Sequence, residues 1–518
     1  MEGGERALRH LGAAAILMTS AVLFSRVVGY AREAFVAWRF GANATTDAFY
    51  AAFTIPDWLN YLVAGGTLSV TLLPLYGRSL ATGDEDGANR ALTSVAGILL
   101  PILAVGVLAG EVFAAPLTRA FFHRLDGAAQ ADCVRFTRIL LPAQVFFVLG
   151  GVWSATLLAR GRFGAAAIAP TVYNLGIIGG GALLGGRLGA EGLAWGALAG
   201  AIVGPFGVQA VAAIRAGARA RRTPIWSPVA IEWLRLTLPL MIGVTLVSAD
   251  EWILRYFAGS DPGAITRLNY ARRLVAVPIA VAGQAIGQAS LPFFVRLWSE
   301  GAKDTLADTF VATTRGAAVI AMLVAAWMAG LAEPLTDLLF RRGRFALADV
   351  GPTATYLAIF AASVPLWSVQ GLVARLFYAA QNTWTPMVAG TVVTIASLPV
   401  YLAGWRIAGA AGLAVASGIG IALHMGTLVW LFSRVFPQLR ARAGAAFGGL
   451  ARGAVLAAIA GVACRGASQF GARLASGRAG DAVRCLAGSI VFFGIVAIFA
   501  RPLGVGEPRA VLARLRRR

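Results

Sequence analysis

Phe24-Ser25-Arg26-Val27-Val28-Gly29-Tyr30-Ala31-Arg32-Glu33 sets two arginines and a glutamate inside the apolar segment 11–40. A bilayer crossing takes about 20 apolar residues, so this segment is long enough to span. A charge at membrane depth costs on the order of 3 kcal/mol, and such residues usually face a water-filled cavity or a partner. On a helix, Arg26 and Glu33 share a face, and Arg32 lies between a quarter and a third of a turn from them. One helix would present two cations and one anion toward an interior. The competing reading is snorkelling arginines at a helix end. Arg26 argues against it, with about 15 residues of the segment on either side.

The rest of the chain repeats the apolar theme. Its 518 residues are 58% hydrophobic and 13% charged, with a mean hydropathy of +0.73. A soluble chain averages about 25% charged. Fourteen candidate spans follow one another: 11–39, 46–77, 91–118, 134–159, 163–186, 190–214, 228–256, 264–296, 306–332, 352–379, 385–405, 409–433, 446–469 and 482–502. Several exceed about 20 residues, which implies tilt or extension past the bilayer. No small-residue cleavage site follows a short apolar core at the N-terminus, so no signal peptide is expected.

The net charge of +21 would suggest nucleic acid in a soluble protein. Here the basic residues sit in short loops and at the C-terminus, so no nucleic-acid partner is expected. An even span count places both termini on one side. Arg215, Arg219, Arg221 and Arg222 in one loop, and Arg514 with Arg516 to Arg518 in the tail, fall on that side too. That side reads as the cytoplasm. Arg341, Arg342 and Arg344 in an outer loop make the asymmetry modest.

Cys133, Cys464 and Cys485 lack metal-ligand spacing, and His10, His123 and His424 are scattered. His424 lies in an apolar segment, where a packed histidine is the expected reading over a proton relay. HExxH, a phosphate-binding glycine loop and GxSxG are absent, so no catalytic residue, metal or cofactor is expected. Gly196 and Gly200, at GxxxG spacing, read as helix-packing positions.

An internal echo organises the spans. The first carries buried arginines and is followed by one with Pro56 and Gly65-Gly66. The seventh carries Asp250-Glu251 and is followed by one with Arg272-Arg273 and Pro278. Charged and proline-interrupted segments at matching places in two halves point to a transporter with a central site. The expected fold is an all-α polytopic membrane protein of about 14 transmembrane helices. It has an N-terminal lobe, 1–222, and a C-terminal lobe, 223–440, of six helices each in a pseudo-twofold arrangement. A C-terminal helix pair with a basic tail, 441–518, completes it.

Several runs in order resemble the MurJ/MviN lipid II flippases of the multidrug/oligosaccharidyl-lipid/polysaccharide exporter superfamily. They are the stretch 24–33 with Phe40-Gly41, Thr46-Asp47-Ala48-Phe49 and Ala52 to Pro56, then Arg162-Phe163 with Ala169-Pro170-Thr171 and Asn174. Tyr270-Ala271 with Arg273-Leu274 and Pro278, Leu291-Pro292, Glu333 to Thr336 with Gly343-Arg344-Phe345, and Phe377 to Thr383 with Thr385-Pro386 continue the series to about residue 440. The resemblance implies a flippase that carries lipid II from the cytoplasmic to the outer leaflet of the bacterial inner membrane by alternating access. It implies a role in peptidoglycan biosynthesis, with membrane lipids and cell-wall synthesis proteins as partners. The family's cavity arginines fall on Arg26, Arg32 and Arg273, with Glu33 keeping an acid beside Arg32. A bidentate guanidinium suits the diphosphate of such a lipid. The terminal pair would supply a groove for the lipid tail.

The chain departs from the family in its second helix. An arginine pair is replaced by Asn60 and Tyr61 after Asp57, a glutamate by Gly65, and the acid before the helix 8 arginine by Arg272. Arg272 is expected to compensate, approaching Asp57 or Asn60. The expected substrate-binding set is therefore Arg26, Arg32, Glu33, Asp57, Asn60, Arg272 and Arg273, with Arg26, Arg32 and Arg273 converging on one water-accessible cavity between the lobes and Arg272 pointing into it. Asp250 and Glu251 are candidates for coupling to Na⁺ or a proton; a charge pair with Arg255 one turn along is the equal alternative. Span 11 holds no acidic residue, so a sodium site there is not expected. The alternative function is a flippase for another polyprenyl-diphosphate-linked oligosaccharide, such as an O-antigen or exopolysaccharide unit. A membrane glycosyltransferase would need acidic catalytic residues and a large outer loop, and a scaffold would give the buried arginines no purpose.

Overall fold

The computed structural model describes residues 24–64, 68–242, 246–473, 477–503 and 505. His10, Gly65-Gly66 and the basic tail lie outside them. The described secondary structure is helical throughout. Nine helical stretches among the described residues are long and apolar enough to cross a membrane. The chain divides into two compact units, Met1–Gly243 and Val244–Arg518.

The first unit opens with α1 (24–40). Gly41, at φ 78°, turns the chain out of it and returns its N–H to the carbonyls of Val36 and Ala37. Asn43 then caps α2 (Ala44–Ala52), accepting from the N–H groups of Thr45 and Thr46, while the Thr46 hydroxyl accepts from the Asn43 N–H. Two donors at the helix start are thus satisfied reciprocally. There follow α3 (Thr54–Ala64), α4 (Leu68–Ala81), α5 (Glu85–Phe121), α6 (Gly127–Leu140), α7 (Ala143–Ala159) and α8 (Gly164–Leu183). A short α9 (Gly185–Leu188), α10 (Glu191–Ala201), a π-helical stretch (Ile202–Val208), α11 (Gln209–Arg215) and α12 (Pro228–Ile242) complete the unit. Leu72, Tyr76, Leu92, Leu99, Val152 and Trp233 form one buried cluster, so α12 packs with α4, α5 and α7.

The second unit runs α13 (Leu246–Ala258), α14 (Ala264–Pro278), a π-helical stretch (Ile279–Ala285), α15 (Ile286–Ser299), α16 (Lys303–Gly330) and α17 (Ala332–Phe340). It continues with α18 (Leu347–Ala379), α19 (Trp384–Val435), α20 (Gln438–Gly471) and α21 (Gly477–Phe499). The final pair packs on α16 through Val319, Leu323, Leu456, Ala460 and Phe492. Expected span 7, 228–256, lies on both sides of the division, with α12 in one unit and α13 in the other. Spans 11 and 12 are the two arms of α19, which is interrupted at Ala408 and Gly409.

The sequence echo reappears as shared turns. Gly189 (φ 59°, ψ −138°) between α9 and α10 and Gly409 (φ 55°, ψ −134°) within α19 both reverse the chain in the same positive-φ conformation. In each case the arms beside the turn meet on glycine. A Cβ on Gly196 would stand 2.8 Å from the Gly180 Cα, and one on Gly412 would stand 1.8 Å from the Gly404 carbonyl oxygen. After α7, the N–H of Gly161 donates to Leu158 at 3.0 Å and that of Arg162 to Leu157 at 2.8 Å. After α18, Gln381 donates to Tyr378 at 3.0 Å and Asn382 to Phe377 at 2.9 Å. Gly83 and Gly301 close another matched pair, each donating to the carbonyl three residues back.

Candidate functional site

In the first unit a polar cluster forms around Glu33. Its side chain is 1% exposed, so an unpaired carboxylate there would carry a large desolvation cost. Three helices share the cost. Arg32 on α1 pairs with Oε1 through Nη2, and Tyr50 on α2 donates its hydroxyl to Oε2 at 2.5 Å. Nη1 of Arg32 donates to Oδ1 of Asn174 on α8 at 2.9 Å. Asn174 is fixed in turn by donating Nδ2 to the Pro170 carbonyl at 2.9 Å. Pro170 has no N–H to offer, and α8 accommodates it within its first two turns. Arg32 keeps 15% of its side chain exposed, and two of its five N–H donors are engaged. It can therefore hold an oxyanion while remaining anchored.

Arg26 lies two turns earlier on α1, half-buried, and makes no hydrogen bond or ion pair among the described residues. Asn60 on α3 donates Nδ2 to Oε1 of the buried Gln144 on α7 at 2.9 Å. Asp57, a turn before it, is half-buried.

In the second unit the cluster forms around Asp250 on α13, which is fully buried. Arg272 on α14 pairs with Oδ2, and Tyr401 on the first arm of α19 donates to Oδ1. Ser417 on the second arm donates to Oδ2 at 3.0 Å. Arg272 also reaches Glu251 through Nε at 3.4 Å, and its guanidinium lies 5.4 Å from the centre of the Trp367 ring on α18. Glu251 pairs with Arg255 one turn along at 3.2 Å. The helical pairing weighed for Glu251 is therefore formed, and Asp250 looks to Arg272 instead. Arg273, next in sequence, is exposed.

The structure thus brings Arg32 together with Glu33, and Arg272 with Asp250 and Glu251. Asn60 is joined to Gln144. Sequence reasoning gave no role to Tyr50, Gln144, Asn174, Trp367, Tyr401 or Ser417. Among the described residues no group of His, Cys, Asp and Glu is arranged to hold a metal.

Comparison with known proteins fixes the lineage. The family model described as lipid II flippase MurJ matches residues 36–476. A probable lipid II flippase MurJ of Bdellovibrio bacteriovorus is 30% identical over 82% of this chain and 83% of its own length. A solved lipid II flippase MurJ in an inward closed conformation superimposes with a TM-score of 0.77 at 19% identity, covering 94% of this chain and 99% of that one. An inward-facing multidrug-resistance MATE transporter of the MOP superfamily gives 0.65 at 16% identity over 82% and 99%. The fold is therefore that of a multi-pass membrane transporter, and on a match along most of its length the chain belongs to the MurJ lipid II flippase family.

Proposed function

We propose that this protein carries lipid II from the cytoplasmic to the outer leaflet of the bacterial inner membrane, and that Arg32 is a principal contact for the diphosphate. The observation that carries the reading is the Arg32 guanidinium, anchored by Glu33 and Asn174 inside an apolar helix and still partly open. A fork held in one orientation loses little entropy when it donates to two phosphate oxygens. Arg26 and Arg273 add cationic contacts, and Asp57 and Asn60 contact the polar head. Both termini face the cytoplasm, and cell-wall synthesis proteins are the expected partners.

Growth of a strain depleted of its own lipid II flippase tests the assignment. The wild-type chain should restore growth. Arg26→Ala should express normally and fail to do so, and so should Arg32→Ala when Glu33→Gln accompanies it to remove the unpaired buried carboxylate. Arg32→Lys should recover little, because an ammonium lacks the fork. Full rescue by the lysine variant would overturn the role given to Arg32.

A second reading is favoured by Asn60, which stands with Tyr61 where the resemblance gives an arginine pair and whose amide is engaged by Gln144. Fewer cations suit a different polyprenyl-diphosphate glycan. That reading gains if the wild-type chain fails to rescue the depleted strain but moves an O-antigen or exopolysaccharide unit.

A further inference from the structure

We propose that Arg272 is a tethered counter-cation for Asp250, occupying the place that a soluble alkali cation would otherwise take. A fully buried carboxylate needs a positive partner. Asp250 has three donors converging on its two oxygens: the Arg272 guanidinium, the Tyr401 hydroxyl and the Ser417 hydroxyl. Without the guanidinium, the remaining set is made of oxygen alone. It would comprise both carboxylate oxygens of Asp250, the Ser417 Oγ and the Tyr401 hydroxyl, drawn from α13 and both arms of α19. Such a set suits a hard cation.

Arg272 is held in that place from two further sides. Glu251 accepts from Nε at 3.4 Å, and the Trp367 ring faces the guanidinium. The two carboxylates are already met by cations carried on the chain. Asp250 and Glu251 face Arg272 and Arg255, and the neighbouring Arg273 adds a further positive charge beside Arg272. An added metal ion would leave the cluster with a net positive charge in a buried setting, which is costly. The chain therefore carries its cation on α14, and the second unit has no exchangeable one to gain or lose at this point.

The test uses the full-length protein in detergent, and thermal unfolding is followed in NaCl, KCl and choline chloride at equal ionic strength. This readout involves no lipid II, so its outcome is separate from the substrate assignment. Wild type should unfold at the same midpoint in all three salts. Arg272→Gln should have a lower midpoint in choline and regain much of the loss as Na⁺ or K⁺ rises, with saturation, because a cation that binds the folded state stabilises it. Arg272→Lys should behave like wild type. Asp250→Asn with Arg272→Gln should show no cation response. Should Arg272→Gln fail to fold, recovery of folded protein in that double variant supports the proposal, and its failure to fold overturns it. A saturable Na⁺ shift in wild type that Asp250→Asn removes would also overturn it. So would an Arg272→Gln variant that folds and ignores the salt.

Discussion

Glu33 and Asp250 occupy comparable places, each a buried carboxylate on the first helix of the described part of its unit, yet they are neutralised differently. Glu33 takes its cation from the adjacent residue, Arg32, and the tyrosine and asparagine around the pair come from α2 and α8. Asp250 takes its cation from another helix, and its hydroxyl donors come from both arms of α19. The first arrangement leaves a guanidinium anchored and partly open. The second consumes its guanidinium in holding three elements together. A similar residue count thus leaves a partly open guanidinium in one unit and makes a structural joint in the other.

Removing the cation from each cluster is the strongest way to break this comparison. Arg32→Met and Arg272→Met each leave a buried carboxylate unpaired and should cost about 3–5 kcal/mol of stability. Thermal midpoints in detergent measure this. Adding Glu33→Gln or Asp250→Asn, respectively, should restore most of the loss. Transport should return only in the second case, if the contrast between binding group and joint holds. Recovery of flipping by Arg32→Met with Glu33→Gln would erase the distinction.

The glycine contacts beside the matched turns allow a direct comparison of the units. Gly196→Val and Gly412→Val both drive a side chain into facing backbone. Overpacking of this kind costs about 1–3 kcal/mol. Gly412 should be the more sensitive, since its Cβ would stand closer to the facing arm. Folded yield after membrane extraction gives the ranking, and equal tolerance would show that the α19 arms can spread.

A smaller effect separates the turns after α7 and α18. Gln381 holds φ 57° where the matching residue is Gly161 at 67°. A side chain in the left-handed region costs about 1–2 kcal/mol. Gln381→Gly should raise the thermal midpoint, and Gly161→Gln should lower it by a similar amount. Opposite signs are the expected result; two shifts of one sign would mean the turns are not equivalent.

The smallest effect comes from a third cluster, where α17 meets α21. Burial raises the pKa of Asp337, and the nearby Asp481 raises it further, while Arg341 and Arg484 oppose the shift. The folded value lies above the unfolded value of about 3.9. The Asp337 contribution is therefore full below that value and is lost as pH rises through the folded pKa. Hydrogen exchange in α17 should quicken as pH rises across this window, after correction for the intrinsic rate. Asp481→Asn should flatten the dependence. In this cluster Asp337 and Asp481 act on each other directly.

Much of this was legible in the chain. Apolar runs announce membrane helices because the bilayer demands a fixed apolar length, and charges within such runs stand out against it. Arg26, Arg32 and Glu33 were found that way, and the echo of Asp250-Glu251 with Arg272-Arg273 followed from it. Pairing was harder. Glu251 with Arg255 obeys helical spacing and could be read locally. Asp250 with Arg272, Tyr401 and Ser417 joins residues brought together only by packing. Tyr50 and Gln144 are neutral and common enough in apolar segments to carry no signal of their own, and Asn174, though part of a run that carries the resemblance, gives no sign of its partner. The division between α12 and α13 was hidden because hydropathy runs through both. Trp233 shows where α12 belongs, by packing among Tyr76, Leu92 and Val152.

The spacing of the two ion pairs bears on how the chain enters the membrane during synthesis. A lone aspartate at the centre of an inserting helix costs about 2.5–3.5 kcal/mol at the translocon. The α1 helix carries Arg32 and Glu33 together, so that pair can be neutral as soon as the helix forms. The α13 helix emerges with Asp250 unmatched, and Arg272 follows on the next helix, one short turn later. Insertion of α13 and α14 as a hairpin would bring the opposite charges into the bilayer together. Tyr401 and Ser417, made much later, would then close over a pair that is already formed.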